Sequence, residues 1–235
     1  MRGPRPRRRA RRYVIALVII IVVLVVLDFA ARVAAENVMA SKIEQQGLQH
    51  KPSVTIDGFP FLTQVASRNF QQISLSDSDQ TEGPVNVTSI NATAHNIKVN
   101  SYAFSSGTIG SLSGTAVISF ASLGNTLTQQ VGPLGSLLNG AGLDLRAAGP
   151  HEVKATLNLV VTSGSATWRV TWLSGNRLNI RLVRSDGLPS SLLGSIQDVT
   201  VQVPKLPLGL TIDSIAVTQA GVVGRVSGSN VPFGS

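Results

Sequence analysis

Seven arginines between Arg2 and Arg12 run directly into residues 13–27, fifteen in a row without a charge. Guanidinium groups resist crossing a bilayer and an aliphatic run resists water, so this order predicts insertion with the amino terminus left in the cytoplasm. Everything from about Asp28 onward is then expected outside.

Fifteen helical residues reach about 22 Å, short of the roughly 20-residue span that a bilayer asks for. Two readings stay open. One is an uncleaved single-pass anchor; the other is the apolar region of a signal peptide, with Val33-Ala34-Ala35 as a small-residue cleavage site and a secreted product. The continuity of the run favours the anchor, because residues 29–31 extend it past Asp28, whose carboxylate is expected to reach the outer headgroups. The organisation read from the chain is a cytoplasmic Arg-rich segment (1–12), an anchor or signal peptide (13–31), and one extracytoplasmic domain (32–235).

Charge supports the division. Of 20 Lys and Arg, seven lie in the leader, which leaves 13 against 12 acidic residues for the rest. The formal charge of +8 therefore belongs to the leader, and with no basic, aromatic-studded face the chain is not read as a nucleic-acid binder. It has no cysteine, so neither disulfides nor thiol chemistry are available. Aliphatic residues abound while Phe, Trp and Tyr make up 5%. That composition suits a packed β core and an acyl-chain cavity alike.

Residues 29–46 read as a helix stopped at Gly47, with Ala31, Ala35, Val38, Met39 and Ile43 near one face, either a stalk continuing the membrane helix or, the reading that this apolar face favours, a helix packed into a curved sheet. Val54 and Ile56 share a short strand. Gly58-Phe59-Pro60-Phe61-Leu62 reads as a turn with its rings on a neighbouring apolar surface, either closing one end of the core or forming a lip at a lipid portal. Strands follow Gln71, and a change of apolar parity predicts a bulge near Thr88 and Ser89. From a Ser122 N-cap, Leu123, Leu127, Val131, Leu134 and Leu138 recur at helical spacing, with Pro133 dividing the helix. Between Glu152 and Val183 three alternating runs predict an antiparallel meander. One face carries Val153, Ala155, Leu157, Leu159, Ala166, Trp168, Val170, Trp172, Leu178, Ile180 and Leu182; the other carries Arg169, Arg177 and Arg181 as a cationic strip. A short helix after Leu188-Pro189, a strand through Val199, Val201 and Val203, and a closing pair (212–217 and 222–226) complete the chain.

No constellation for catalysis emerges. His50, His95 and His151 are scattered without metal-ligand spacing, and the acidic run from Asp77 to Glu82 lacks the glycine and distal glutamate of a calcium loop. Gly110-Ser111-Leu112-Ser113-Gly114 has leucine where a nucleophile elbow needs serine. Phosphate-binding glycine motifs are missing. The chain is therefore read as a non-enzyme without cofactor or metal.

The segment Val54-Thr55-Ile56-Asp57-Gly58-Phe59-Pro60-Phe61-Leu62-Thr63-Gln64, the later Ile73-Ser74-Leu75, and the closing Leu206-Pro207-Leu208-Gly209-Leu210 with Val222-Val223-Gly224 resemble the actinobacterial LmeA-type envelope proteins over residues 31–233. The resemblance implies phospholipid binding, a role in lipoglycan (lipomannan-type) biosynthesis, and an α+β fold similar to tubular lipid-binding domains, in which a strongly curved antiparallel sheet wraps a long helix. The expected activity is to hold or transfer a phospholipid or glycolipid at the outer face of the plasma membrane. An apolar cavity is expected from Val38, Ile43, Phe59, Phe61, Leu62, Leu157, Leu159, Trp168, Val170, Trp172, Leu178 and Ile180, with Arg169, Arg177 and Arg181 toward headgroups or the membrane surface. The alternative is a non-enzymatic scaffold that binds and activates an envelope glycosyltransferase or polymer-assembly enzyme.

Overall fold

The long apolar run does not end at Asp28. In the computed structural model it continues as one 38-residue helix, α1 (Arg7–Glu44). The structure describes residues 7–45, 49–82, 85–101, 106–130, 142–158, 163–173, 177–188, 197–202, 206 and 209–234. In chain order α1 is followed by β1 (Ser53–Asp57), α2 (Phe61–Ser67), β2 (Asn69–Glu82), β3 (Val85–Val99), β4 (Gly107–Ile118), α3 (Phe120–Gln130), β5 (Gly142–Gly149), β6 (Glu152–Asn158), β7 (Ser163–Leu173), β8 (Arg177–Asp186), β9 (Asp198–Gln202), β10 (Thr211–Thr218) and β11 (Gly221–Phe233).

The strands form two antiparallel sheets, ordered β1-β2-β3-β4-β11-β10 and β5-β6-β7-β8-β9. The class is α+β, as the sequence implies, but the strands are divided between two sheets. The expected meander is β6-β7-β8, with Ala155 opposite Ala166 and Val170 opposite Ile180. The long helix lies against β1 and α2. Its residues 13–27 are all exposed, whereas Ala31, Ala35 and Met39 pack on the core of the first sheet. That core is built from Ile56, Phe61, Phe70, Ala94, Ile97 and Val99. A second core, Leu145, Val153, Ala155, Val170 and Val217, joins the two sheets. A backbone hydrogen bond reinforces the junction: Val217 of β10 donates to Pro150 O at 2.7 Å.

Several local expectations change. No bulge occurs at Thr88 and Ser89, where Ser78 faces Ser89 and Gln80 faces Val87 in unbroken register. The alternation breaks instead at Asn96 (φ 54), so that Ala94 and Ile97 are both buried. Asn96 and Asn230 (φ 50) flank Gly110 of β4 in one row across the sheet. Asparagine tolerates this left-handed backbone, and a Cβ on Gly110 would lie 2.9 Å from that of Asn96. Helix α3 begins at Phe120 because Ser119, not Ser122, supplies the cap: its Oγ accepts the Ser122 N–H at 3.2 Å. Gly47, Pro133, the stripe from Val131 onward, Leu159 and residues 189–196 lie outside the described residues. Two strands, β4 and β5, carry little alternation in their sequence. β4 is too rich in Gly, Ser and Thr to alternate visibly, and the Leu143, Leu145, Ala147 alternation of β5 is short and hemmed by glycines.

Candidate functional site

The segment 58–62 is a cis Phe59–Pro60 bond leading into α2, not a plain turn. Its two rings part company. Phe61 is buried, 6.3 Å from the Phe70 ring, while Phe59 is 68% exposed and Leu62 43%. Pro60, at the N-cap of α2, offers no side-chain acceptor to the first-turn amides. The acceptor comes from α1: the Asp28 carboxylate receives the Phe61 N–H at 2.9 Å and the Leu62 N–H at 2.7 Å. Asp28 is only 5% exposed, so it does not reach toward headgroups as expected; it binds α2 to the long helix. Two main-chain donors offset the cost of burying that carboxylate.

One turn pair further along, Glu36 accepts the Ile56 N–H at 2.8 Å and lies 3.2 Å from the Arg32 guanidinium. Asp28, Arg32 and Glu36 recur at four-residue spacing, so one polar stripe of α1 faces β1 and α2. Ile43 is half-buried. Val38 is 56% exposed, because it precedes Met39 and is rotated by about 100° away from the packed stripe.

On the second sheet, Val170 is buried beside Val153 and Ala155, while Leu157, Trp168, Trp172, Leu178 and Ile180 are half-buried. Register brings Trp172 opposite Leu178, Val170 opposite Ile180, and Trp168 opposite Leu182. Trp168 and Leu178 pack against the second core, along with Phe120 and Leu123 of α3. The apolar face is thus closed near α3 and β10 and only half covered around Trp172 and Ile180.

The opposite face is less cationic than its arginines suggest. Arg169 faces Glu152 on one side and Arg181 on the other, and Arg181 in turn faces Asp198. The Arg169–Glu152 ion pair closes to 2.6 Å. Arg177, Arg181 and Arg169 are all exposed. Two shallow, open clefts are formed by described residues. One, of about 330 Å³, is lined by Ser67, Arg68, Asn69, Lys98, Val99 and Asn100; the other, of about 280 Å³, by Lys154, Thr156, Ser163, Gly164, Ser165, Asp186 and Gly187. Neither cleft is apolar. No group of three or more metal-ligating side chains occurs among the described residues.

The family model for LmeA-like phospholipid-binding proteins matches residues 26–227, from the middle of the long helix into the last strand. The chain belongs to this family. The LmeA-like match begins two residues before Asp28, so the residue that binds α2 lies inside the shared unit and most of the apolar run lies outside it. Proteins of Mycobacterium tuberculosis and Mycobacterium bovis, both described as uncharacterized, are 27% identical over 172 residues, 71% of this chain and 47% of theirs. The chain spans about half the length of these curated relatives. No solved structure matches it. The LmeA-like description names binding to phospholipid and not a reaction.

Sequence reading missed the role of Asp28. Its signal was present: a lone carboxylate at the edge of an apolar helix must find donors, and Pro60 leaves a helix start without its own cap.

Proposed function

We propose that this LmeA-like protein is a membrane-anchored, extracytoplasmic binder that holds or transfers a phospholipid or glycolipid in support of cell-envelope lipid or lipoglycan synthesis. The observation that carries the reading is the half-covered apolar face around Trp172 and Ile180, on strands whose partners are already satisfied. An acyl chain laid along that face exchanges water for hydrocarbon. With about 0.8 kcal/mol per methylene, a chain of about 16 carbons contributes on the order of 10 kcal/mol before ordering costs. Such a mode needs little headgroup chemistry, in keeping with the partly neutralised row Glu152, Arg169, Arg181, Asp198. Phe59, Leu62 and Ile43 would border the route from the bilayer, and α1 would hold the domain on the outer surface with the arginines inside.

The test is native mass spectrometry of the full chain, purified in mild detergent and delipidated, then exposed to phospholipid. Discrete lipid adducts and lipid transfer between vesicles are expected. A bare mass with no transfer counts against the proposal. The alternative, a scaffold for an envelope glycosyltransferase, draws on the exposed Arg177 and Arg181; charge reversal there would abolish capture of the enzyme while lipid adducts persist.

A further inference from the structure

Outside α1, the large apolar side chains left exposed among the described residues are Phe59, Leu62 and Val183. Two of the three sit at the start of α2, and α2 is held at a defined level of the long helix. The Leu62 N–H lies 2.7 Å from Asp28 Oδ1, so Leu62 stands beside the first charged residue after the apolar run. The Asp28 side chain and this hydrogen bond together reach about one helical pitch, which puts Leu62 within about one turn of the end of that run. On α1 itself, Phe29 is 61% exposed and Val33, four residues on and hence on the same face, is also exposed. Asp28, between these groups, is covered. An apolar collar therefore continues past the formal end of the uncharged run: on one side as Phe29 and Val33, on the other as Phe59 and Leu62.

The collar resolves the shortfall in length. Residues 13–27 reach about 22 Å, whereas 13–33 reach about 31 Å, the thickness of a bilayer's hydrocarbon. Two charges fall within that longer span, Asp28 and Arg32, and each would be costly if it faced lipid. Here α2 covers Asp28 with two N–H donors, and Arg32 lies 3.2 Å from Glu36 on the same stripe.

We infer that Phe59 and Leu62, with Phe29 and Val33, are immersed in the outer leaflet of the bilayer that α1 spans, so that α2 docks the folded portion onto the membrane surface. This rests on the anchored reading of α1. The occupant is the lipid itself, because the exposed groups are continuous with the helix's own lipid-facing run. Docked in this way, the domain cannot swing on a free stalk: Asp28 and Glu36 both hold it to the helix at backbone atoms.

The chain has no cysteine, so single-cysteine variants of the full-length protein can each carry one nitrobenzoxadiazole label. In phosphatidylcholine–phosphatidylglycerol vesicles, labels on Phe59→Cys and Leu62→Cys should emit blue-shifted and be quenched at least two-fold by lipids spin-labelled near the headgroup. A label on Ser78→Cys, exposed on β2, should emit as in water. Ile20→Cys, in the middle of the apolar run, reports on the anchor. If Ile20→Cys is quenched by deep spin labels while Phe59→Cys and Leu62→Cys emit as in water, the docking inference is overturned and the anchor stands. If Ile20→Cys also emits as in water, both fall. Blue-shifted emission at Phe59→Cys and Leu62→Cys without lipid quenching would mean that a second copy or another protein covers them, and overturns the inference too.

Discussion

Asp28, in the long helix, accepts the backbone N–H groups of Phe61 and Leu62, thirty-three and thirty-four residues away, at 2.9 and 2.7 Å. This contact fastens together two helices that also meet through the core around Phe61, and makes one corner of them. Removing the carboxylate leaves two donors without their partner in a largely water-free place. Asp28→Ala should cost about 2–3 kcal/mol, and Asp28→Asn, which keeps one acceptor oxygen, less. Amide hydrogen exchange at Phe61 and Leu62 should accelerate in the alanine variant; unchanged protection there would refute the corner's dependence on Asp28.

Phe70 and Phe59 should behave oppositely. Phe70 is fully buried against Phe61, so Phe70→Ala leaves a cavity worth about 3–5 kcal/mol in thermal or chemical denaturation. Phe59 is exposed, and Phe59→Ala should change stability by under about 0.5 kcal/mol. A large loss at Phe59 would mean that its ring is buried in the folded protein.

Gly221 and Gly224 lie three residues apart in β11 and differ sharply. Gly221 has φ 137, and a Cβ there would approach Ile118 O to 2.1 Å, whereas nothing lies within 4 Å of the position at Gly224. Gly221→Ala should be destabilising by more than about 2 kcal/mol, from backbone strain and the clash together. Gly224→Ala should be neutral or stabilising by up to about 1 kcal/mol, since alanine restricts the unfolded chain. Denaturant midpoints of the two variants compare them directly.

Ile180→Glu should cut lipid adducts several-fold in native mass spectrometry while the cooperative unfolding transition persists, because Ile180 is half-covered and lies outside the buried set Val153, Ala155 and Val170. Val170→Glu should unfold the second sheet instead. Loss of the fold in both variants would argue that the face is closed core.

Arg169, exposed to water, is already engaged by the partly covered Glu152, so Arg169→Ala should change stability by under about 1 kcal/mol. Glu152→Gln should release positive charge on that face. Stronger, salt-sensitive binding to anionic vesicles would then follow if the face meets headgroups; equal binding would place it away from the membrane.

The chain's order alone determined much: arginines before an uncharged run fix a helix suited to a bilayer, and strict alternation from Glu152 to Val183 fixes a meander, since a strand shows its neighbours only every second residue. The resemblance carried by residues 54–64 reached the family. Local pattern also misled where it was thin. The parity break lay at Asn96, where a residue able to take a left-handed backbone meets a glycine across the ladder, and nothing in the sequence near Thr88 distinguishes the two positions. β4 was invisible because a central strand between two others can be stabilised by its ladders with few apolar side chains of its own. Above all, only the tertiary structure could decide what Asp28 does. Its donors belong to a segment more than thirty residues on, and such long-range satisfaction of a buried charge leaves no periodic trace in the sequence.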